Sequence, residues 1–150
     1  MCKYLIAFLF LFCISSAHAR ITQLEPLNFG KLVVQKNNRV SSITILPSNT
    51  SSSTNDIYIF EKGHSAEFAL EGFPARAQLT VSDFVSNQIV DNVFGGATFV
   101  LNRLIYQNTI TTDSFGSALL NVGGQLSTSG DSSTYYDGYY DATVEITVNF

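Results

Sequence analysis

The stretch YYDATVEITVNF, residues 139–150, alternates between apolar and polar side chains along almost its whole length. The even positions are Tyr140, Ala142, Val144, Ile146, Val148 and Phe150, and the odd positions are Tyr139, Asp141, Thr143, Glu145, Thr147 and Asn149. A period of two is typical of a β-strand with one face buried and the other in water. At about 3.3 Å per residue, the stretch predicts a single strand of about 40 Å on which other strands pair.

Strand-like runs alternate with Gly, Ser, Asn and Pro through the chain before this stretch. The runs cover residues 27–34, 40–46, 57–60, 66–70, 76–82, 97–106 and 119–126. The polar residues 48–56 and 127–134 predict loops, whereas residues 85–92 fit a loop or a short turn of helix. The pattern predicts an all-β fold, a single antiparallel β-sandwich of about eight or nine strands over residues 20–150, whose last two strands form a hairpin.

The first 19 residues predict a targeting signal rather than part of this domain. Lys3 precedes an apolar run at residues 4–14, and the small-x-small pattern Ala17-His18-Ala19 follows it. This order is typical of a secretory signal peptide, so we expect cleavage after Ala19 and export through the Sec pathway. A membrane anchor is the alternative, but the run is too short to span about 30 Å of hydrocarbon as a helix.

Cysteine content and charge exclude several classes of function for the exported part. Both cysteines, Cys2 and Cys13, lie within the signal segment, so we expect neither a disulfide nor thiol chemistry in residues 20–150. The formal net charge is −4 and becomes one unit more negative when Lys3 is removed. Because no basic cluster occurs anywhere in the sequence, nucleic acid is not expected as a partner.

Residues suited to catalysis or to metal binding are scarce. His64 is the one histidine beyond the signal segment, and no G-x-S-x-G motif accompanies a serine. A lone histidine without cysteine does not make a zinc site. Asp131, Asp137 and Asp141 lie near the last strand, where solvation of the surface accounts for them. We therefore expect a non-catalytic protein with no catalytic, metal-binding or cofactor-binding residues.

The most distinctive cluster in the sequence is Tyr135-Tyr136-Asp137-Gly138-Tyr139-Tyr140. Tyrosine offers a rigid ring with a polar tip, which suits recognition of proteins or sugars. Tyr135, Tyr136, Asp137 and Tyr139 therefore form a candidate contact surface for a host or glycan surface. The alternative is that alternate tyrosines simply pack on the sheet, since tyrosine is common in strands.

Several short motifs, in their order along the chain, resemble a bacterial family of secreted domains of unknown function whose members look like fimbrial or pilin-type subunits. The motifs are Leu27-x-Phe29-Gly30, Phe68-x-x-x-Gly72, Val122-Gly123-Gly124-x-Leu126, and a closing Gly138-Tyr139 followed by Thr147-Val148-Asn149-Phe150. The resemblance implies an immunoglobulin-like, pilin-like β-sandwich that is exported to the periplasm and then to the cell surface or an appendage.

The resemblance also implies a mode of assembly. In chaperone–usher pilins, a periplasmic chaperone recognises a terminal aromatic strand, and the N-terminal extension of a neighbouring subunit completes the sheet. The implied assembly strand contains Tyr140, Val144, Ile146, Val148 and Phe150, and the implied first or donor strand contains Leu27, Phe29, Gly30 and Val33. Only residues 20–26 precede the first motif, and Pro26 has no N–H to donate to a ladder. Residues 20–34 are therefore either the donor strand or part of a domain that is complete in itself.

The function expected from these observations is that of a structural or adhesive subunit of a bacterial surface appendage, assembled by strand complementation. Its expected partners are other pilin-like subunits and a periplasmic chaperone and usher. A small outer-membrane barrel is one alternative, because a final amphipathic strand ending in Phe150 also resembles the terminal signal of such proteins. A secreted carbohydrate- or protein-binding module is the other, since fold alone does not fix function.

Overall fold

The computed structural model of the chain describes residues 18–92 and 94–150. Its thirteen strands are β1 Arg20–Glu25, β2 Asn28–Val34, β3 Ser42–Ile45, β4 Ser51–Ser53, β5 Ile57–His64, β6 Ala66–Glu71, β7 Gln78–Asp83, β8 Gln88–Asn92, β9 Phe99–Ile105, β10 Thr109–Thr111, β11 Ala118–Ser127, β12 Tyr140–Asp141 and β13 Ile146–Asn149. Every strand pairing is antiparallel, so the predicted all-β fold is confirmed.

One sequence prediction concerns residues that lie mostly outside the described part of the chain. The predicted signal peptide, residues 1–19, lies outside the described residues except for His18 and Ala19. Within residues 18–92 and 94–150, no helix is long and apolar enough to cross a membrane.

The largest sheet has eight strands and is organised around β11. Its order is β1-β6-β11-β9-β8-β12, with β3 beside β11 and β4 beside β3. The first half of β11 pairs with β6 and the second half pairs with β3 on the same edge, while β9 occupies the opposite edge. Leu120, Val122 and Leu126 of β11 are buried, as their period of two predicts.

The first ribbon of the fold joins residues 20–34 to residues 57–71. Arg20 lies opposite Glu71 at one end and Val34 lies opposite Ile57 at the other, so both strands pair along almost their whole length. The ribbon bends at residues 26–27, because Pro26 cannot donate to the ladder. As a result β1 and β6 belong to the large sheet, whereas β2 and β5 form a separate two-stranded sheet.

The second ribbon pairs residues 140–149 with residues 80–92. The prediction that the last stretch is a single strand of about 40 Å is wrong. β12 pairs with β8 in the large sheet, β13 pairs with β7 in a three-stranded sheet of order β10-β7-β13, and residues 142–145 between them form no strand. The cause is that β7 and β8 belong to different sheets, so a strand that follows both must bend. The alternating pattern shows which face of the strand is apolar, but it does not show that the strand changes its partner.

Four other sequence predictions need correction. The last two strands do not form a hairpin, because β11 already has β3, β6 and β9 as neighbours. Residues 48–56 are not entirely loop, since β4 pairs with β3 there, and residues 85–92 contain β8 rather than a helical turn. The thirteen strands exceed the predicted eight or nine because β1, β4, β8 and β10 lie outside the predicted strand runs and the last stretch is divided into β12 and β13.

The core lies between the large sheet and a second layer formed by the β2–β5 and β10-β7-β13 sheets, a sandwich-like arrangement. Its largest fully buried apolar side chains are Ile43, Ile45, Ile57, Leu70, Leu79, Leu120 and Val122. The last stretch contributes less than its pattern predicts. Tyr140, Val144, Ile146 and Val148 are half-buried, whereas Ala142 is exposed and the Phe150 side chain is 73% exposed.

Candidate functional site

The second layer of the sandwich is incomplete between β2 and β13, which belong to separate sheets. A cavity of about 1190 Å³ lies there, bounded by β2 on one side and by residues 135–144, Ile146 and Val148 on the other. The large sheet supplies its floor through side chains that include Phe68, Phe99, Leu101, Leu104, Leu120 and Val122. We call this cavity the β2–β13 groove.

Both strands that border the groove present an edge without a neighbour. Among residues 18–92 and 94–150, β2 pairs with β5 only and β13 pairs with β7 only, so the N–H and C=O groups on the other edge of each strand have no ladder partner there. Leu32 and Ile146 are half-buried and pack against the core, whereas Val33 is 47% exposed. An open edge with apolar side chains beside it is a template for another strand.

The assembly-strand and first-strand residues predicted from the sequence lie on these two sides of the groove. Val144, Ile146 and Val148 line one side, and Leu27, Phe29, Gly30 and Val33 line the other. Phe150 instead lies beyond the end of β13, where its ring meets the ring of Phe73 edge-on with centroids 5.4 Å apart. Residues 27–34 pair within their own chain beside β5, not beside the last strand.

Glycines fix the shape of the groove at two places that are distant in sequence. Gly30 has φ of 80°, and a Cβ there would lie 2.1 Å from the Glu61 carbonyl oxygen. In β11, a Cβ on Gly124 would lie 3.0 Å from Leu27 Cδ2 and 3.3 Å from Phe29 Cζ. The first and third motifs of the sequence therefore meet in space, because Gly124 leaves room for the side chains of Leu27 and Phe29.

The tyrosine cluster divides into buried and exposed members. The rings of Tyr135 and Tyr140 pack on Phe99, with centroids 4.5 Å and 4.9 Å from its centroid. The Tyr135 hydroxyl donates to the Thr98 carbonyl oxygen at 2.8 Å and accepts from the Ser129 N–H at 3.1 Å, and burial raises the pKa of Tyr135. Tyr135, included in the candidate contact surface, therefore has a packing role.

The other members of the candidate contact surface face solvent. Tyr136 is 55% exposed and Tyr139 is 87% exposed, and Asp137 between them is exposed as well. The sequence did not point to Phe94, which is 78% exposed on a neighbouring loop. Only the structure brings that loop beside the tyrosines, since no sequence pattern links residues 94–97 to residues 134–140.

The three aspartates near the last strand do not gather into a site. Asp131 Oδ1 accepts hydrogen bonds from Asn37, Ser129 and Ser133. The Ser133 hydroxyl and N–H, followed by the Ser129 hydroxyl, lower the pKa of Asp131 to about 2. Across residues 18–92 and 94–150 there is no group of three or more His, Cys, Asp or Glu that could hold a metal ion.

His64 lies at the end of β5 rather than in a turn. Its Nδ1 is 3.1 Å from the Ser65 carbonyl oxygen and 3.5 Å from Glu25 Oε2, and its side chain is 39% exposed. These two neighbours come from β1 and from the bend between β5 and β6, so His64 joins the two parts of the first ribbon.

Comparison with known proteins finds one family. A family model described as "Domain of unknown function (DUF4402)" matches residues 20–150. No match to a curated protein or to a solved structure was found. The match covers the whole of the predicted exported part, which agrees with the resemblance to a family of domains of unknown function.

Proposed function

From the premise that the chain belongs to the DUF4402 family over residues 20–150, we propose that it is a non-catalytic, exported subunit of a bacterial surface appendage that assembles by strand complementation. In this proposal the chain is exported through the Sec pathway, and the β2–β13 groove accepts an extended segment of another protein. The observation that carries the proposal is the pair of unpaired strand edges on either side of an apolar groove.

The groove suits a polypeptide strand better than a small ligand. Its volume of about 1190 Å³ exceeds the roughly 300–1000 Å³ of ordinary small-molecule sites. A strand laid between β2 and β13 forms main-chain hydrogen bonds with both open edges, and every second side chain points down to residues such as Leu101 and Leu120. The recognised feature is therefore an apolar residue at every second position, which many sequences satisfy.

The complementing strand comes from another protein rather than from β1 of a second copy. β1 already pairs with β6 in its own sheet. Its exposed apolar residues, Ile21 and Leu24, do not supply an apolar side chain at every second position, which is the pattern that the groove requires. Other pilin-like subunits and a periplasmic chaperone, acting with an usher, are partners that supply the required pattern.

The first experiment mixes purified residues 20–150 with a peptide in which Val and Thr alternate, and with a scrambled peptide of the same composition. We expect the alternating peptide to bind by calorimetry and to raise Tm, because a ligand of the folded state stabilises it, and the scrambled peptide to do neither. Failure of every alternating peptide to bind would contradict the proposal.

A matched pair of variants places the binding in the groove. Leu32→Arg puts a charge on the groove side of β2, whereas Phe60→Arg puts the same charge on the neighbouring strand β5, at a position that is 74% exposed and outside the groove lining. We expect Leu32→Arg to abolish peptide binding and Phe60→Arg to preserve it, with circular dichroism confirming that both variants fold. Val148→Arg repeats the test from β13, so a folding failure of one variant does not leave the question open. Equal binding by all three variants would place the peptide elsewhere.

A further inference from the structure

The two ends of the sandwich differ in character, and the exposed tyrosines lie at one of them. Arg20, Glu71 and the start of β11 lie at the first end, where the Phe150 ring also meets Phe73. Ser127 at the end of β11 and the β8–β12 pair lie at the opposite end. We call the exposed side chains of Phe94, Tyr136 and Tyr139 at this opposite end the aromatic end.

Hydrogen bonds between two loops hold the aromatic end in place. The Asn92 side chain is 6% exposed, and its Oδ1 accepts from the Phe94 N–H at 2.9 Å while its Nδ2 donates to the Tyr136 carbonyl oxygen at 3.3 Å. The Ala97 N–H donates to the Thr134 carbonyl oxygen at 3.0 Å, and the Tyr140 hydroxyl donates to the Tyr136 carbonyl oxygen at 3.0 Å. Because these loops are already held in place, the entropic cost of ordering them when a ligand binds is smaller.

The position of Tyr136 is fixed further by a glycine. A Cβ on Gly96 would lie 2.5 Å from Tyr136 Cδ2, so the ring occupies the space that any other residue at position 96 would fill. Tyr136 nevertheless remains 55% exposed and Tyr139 remains 87% exposed. The Tyr136 ring is held in place and yet left in water, so its exposed apolar area brings the fold no packing gain, which is typical of a contact surface.

Carboxylates without ion-pair partners lie beside these rings. Asp91 and Asp141 face each other directly across the β8–β12 ladder, and Asp137 follows Tyr136 in the chain. In the described part of the chain, none of the three has an ion pair, and the nearby Lys31 is already paired with Glu61. Like charges directly opposite one another destabilise a strand pair, so this arrangement has no structural benefit.

We propose that the aromatic end binds neutral carbohydrate. The apolar face of a sugar ring stacks on a tyrosine or phenylalanine ring, and its hydroxyls donate charge-assisted hydrogen bonds to the unpaired carboxylates. The local negative charge repels sialylated and sulfated glycans, and so limits the ligand to uncharged sugars. Tyr136, Asp137, Tyr139 and Asp141 also line the end of the β2–β13 groove. Sugar binding at their side chains does not need the strand edges that strand complementation uses, and it would let a subunit adhere by the end remote from Arg20 and Phe150.

The experiment applies residues 20–150 to immobilised maltotriose, chitotriose and N-acetyllactosamine, each with a sialylated or sulfated counterpart where one exists. We expect retention on at least one neutral sugar and weaker retention on its charged form. Titration followed by tyrosine fluorescence then gives Kd. Tyr139→Ala should weaken binding by about tenfold, and Asp141→Asn should also weaken it.

Phe115→Ala is the matched control, because Phe115 is 86% exposed and its loop lies at the opposite end beside Phe73. We expect it to bind sugar as the unaltered protein does. The proposal is overturned if no neutral sugar is retained, if charged glycans bind better, if only a protein partner occupies the surface, or if Tyr139→Ala equals Phe115→Ala. Repeating the titration with the Leu32→Arg variant separates this outcome from failure of strand complementation.

Discussion

Replacing Asn37 by alanine should destabilise the fold, because one buried amide holds the long loop after β11 in place. Asn37 is 7% exposed and lies between β2 and β3. Its Nδ2 is within hydrogen-bond distance of Ser129 Oγ at 2.9 Å, Asp131 Oδ1 at 3.0 Å and the Ser133 carbonyl oxygen at 3.0 Å. Its Oδ1 accepts from the Gly130 N–H at 2.8 Å. The residue therefore ties residues 129–133 to the segment between β2 and β3.

The expected magnitude follows from the number of bonds that one amide forms at a time. Two N–H protons and one carbonyl oxygen give three bonds, each worth about 1 kcal/mol net, with the bond to the Asp131 carboxylate at the upper end of the range. Water can reach the exposed Ser129 and Asp131 after the change, so no large penalty for an unsatisfied group is added. We expect a loss of about 3 kcal/mol in the free energy of unfolding and a fall in Tm of roughly 10 °C.

Urea unfolding of residues 20–150 measures this loss, and Asn38→Ala is the control. Asn38 is the exposed neighbour of Asn37, so its replacement should change the free energy of unfolding by no more than about 0.5 kcal/mol. Asn37→Asp should be at least as damaging as Asn37→Ala, since it places a second carboxylate beside Asp131. A loss below about 1 kcal/mol for Asn37→Ala would refute this account of the loop.

Three further changes test the electrostatic features of the fold. Hydrogen bonds from Ser133 and Ser129 lower the pKa of Asp131 to about 2. The contribution of Asp131 to stability should therefore be complete above about pH 4 and lost as pH falls through about 2. In acid unfolding curves, Asp131→Asn should flatten this dependence. Burial and the hydrogen bond to Asp83 raise the pKa of Tyr106 from 10.0 to about 12. The contribution of Tyr106 to stability should therefore be lost as pH rises through about 12, and Tyr106→Phe should abolish this loss. Tyrosinate absorbance measures the titration of Tyr106. Asp141→Asn should stabilise the protein by about 0.2–1 kcal/mol, and by less at high salt, because it relieves repulsion with Asp91 across the β8–β12 pair.

The sequence was a good guide to which residues form strands, because alternating side chains report the buried face directly. The inward positions of β11 follow this rule, as do Ile146 and Val148, which turn toward the groove. The rule fails where a strand changes its partner, since the alternation continues through residues 142–145 although no ladder does. Pairing between distant segments, such as β3 beside the second half of β11, leaves no mark in a single sequence.

The candidate site was predictable only in part, for a similar reason. The tyrosine cluster was visible in the sequence, but its tyrosines look alike there until packing on Phe99 separates Tyr135 from Tyr136 and Tyr139. The groove could not be foreseen, because it is a gap between β2 and β13 rather than a set of special residues. Gly124 was noted only as part of a motif, and its role became clear from the nearness of Leu27 and Phe29.

The two bent ribbons impose an order on folding. Both strands of the first ribbon lie within residues 20–71, so it can close before the rest of the chain has folded. One edge of β7 must wait for β13, which is the last strand of the chain. A folding chain therefore has an unfinished second layer until Ile146–Asn149 pairs, and during that interval its risk of misassembly with other copies is greatest.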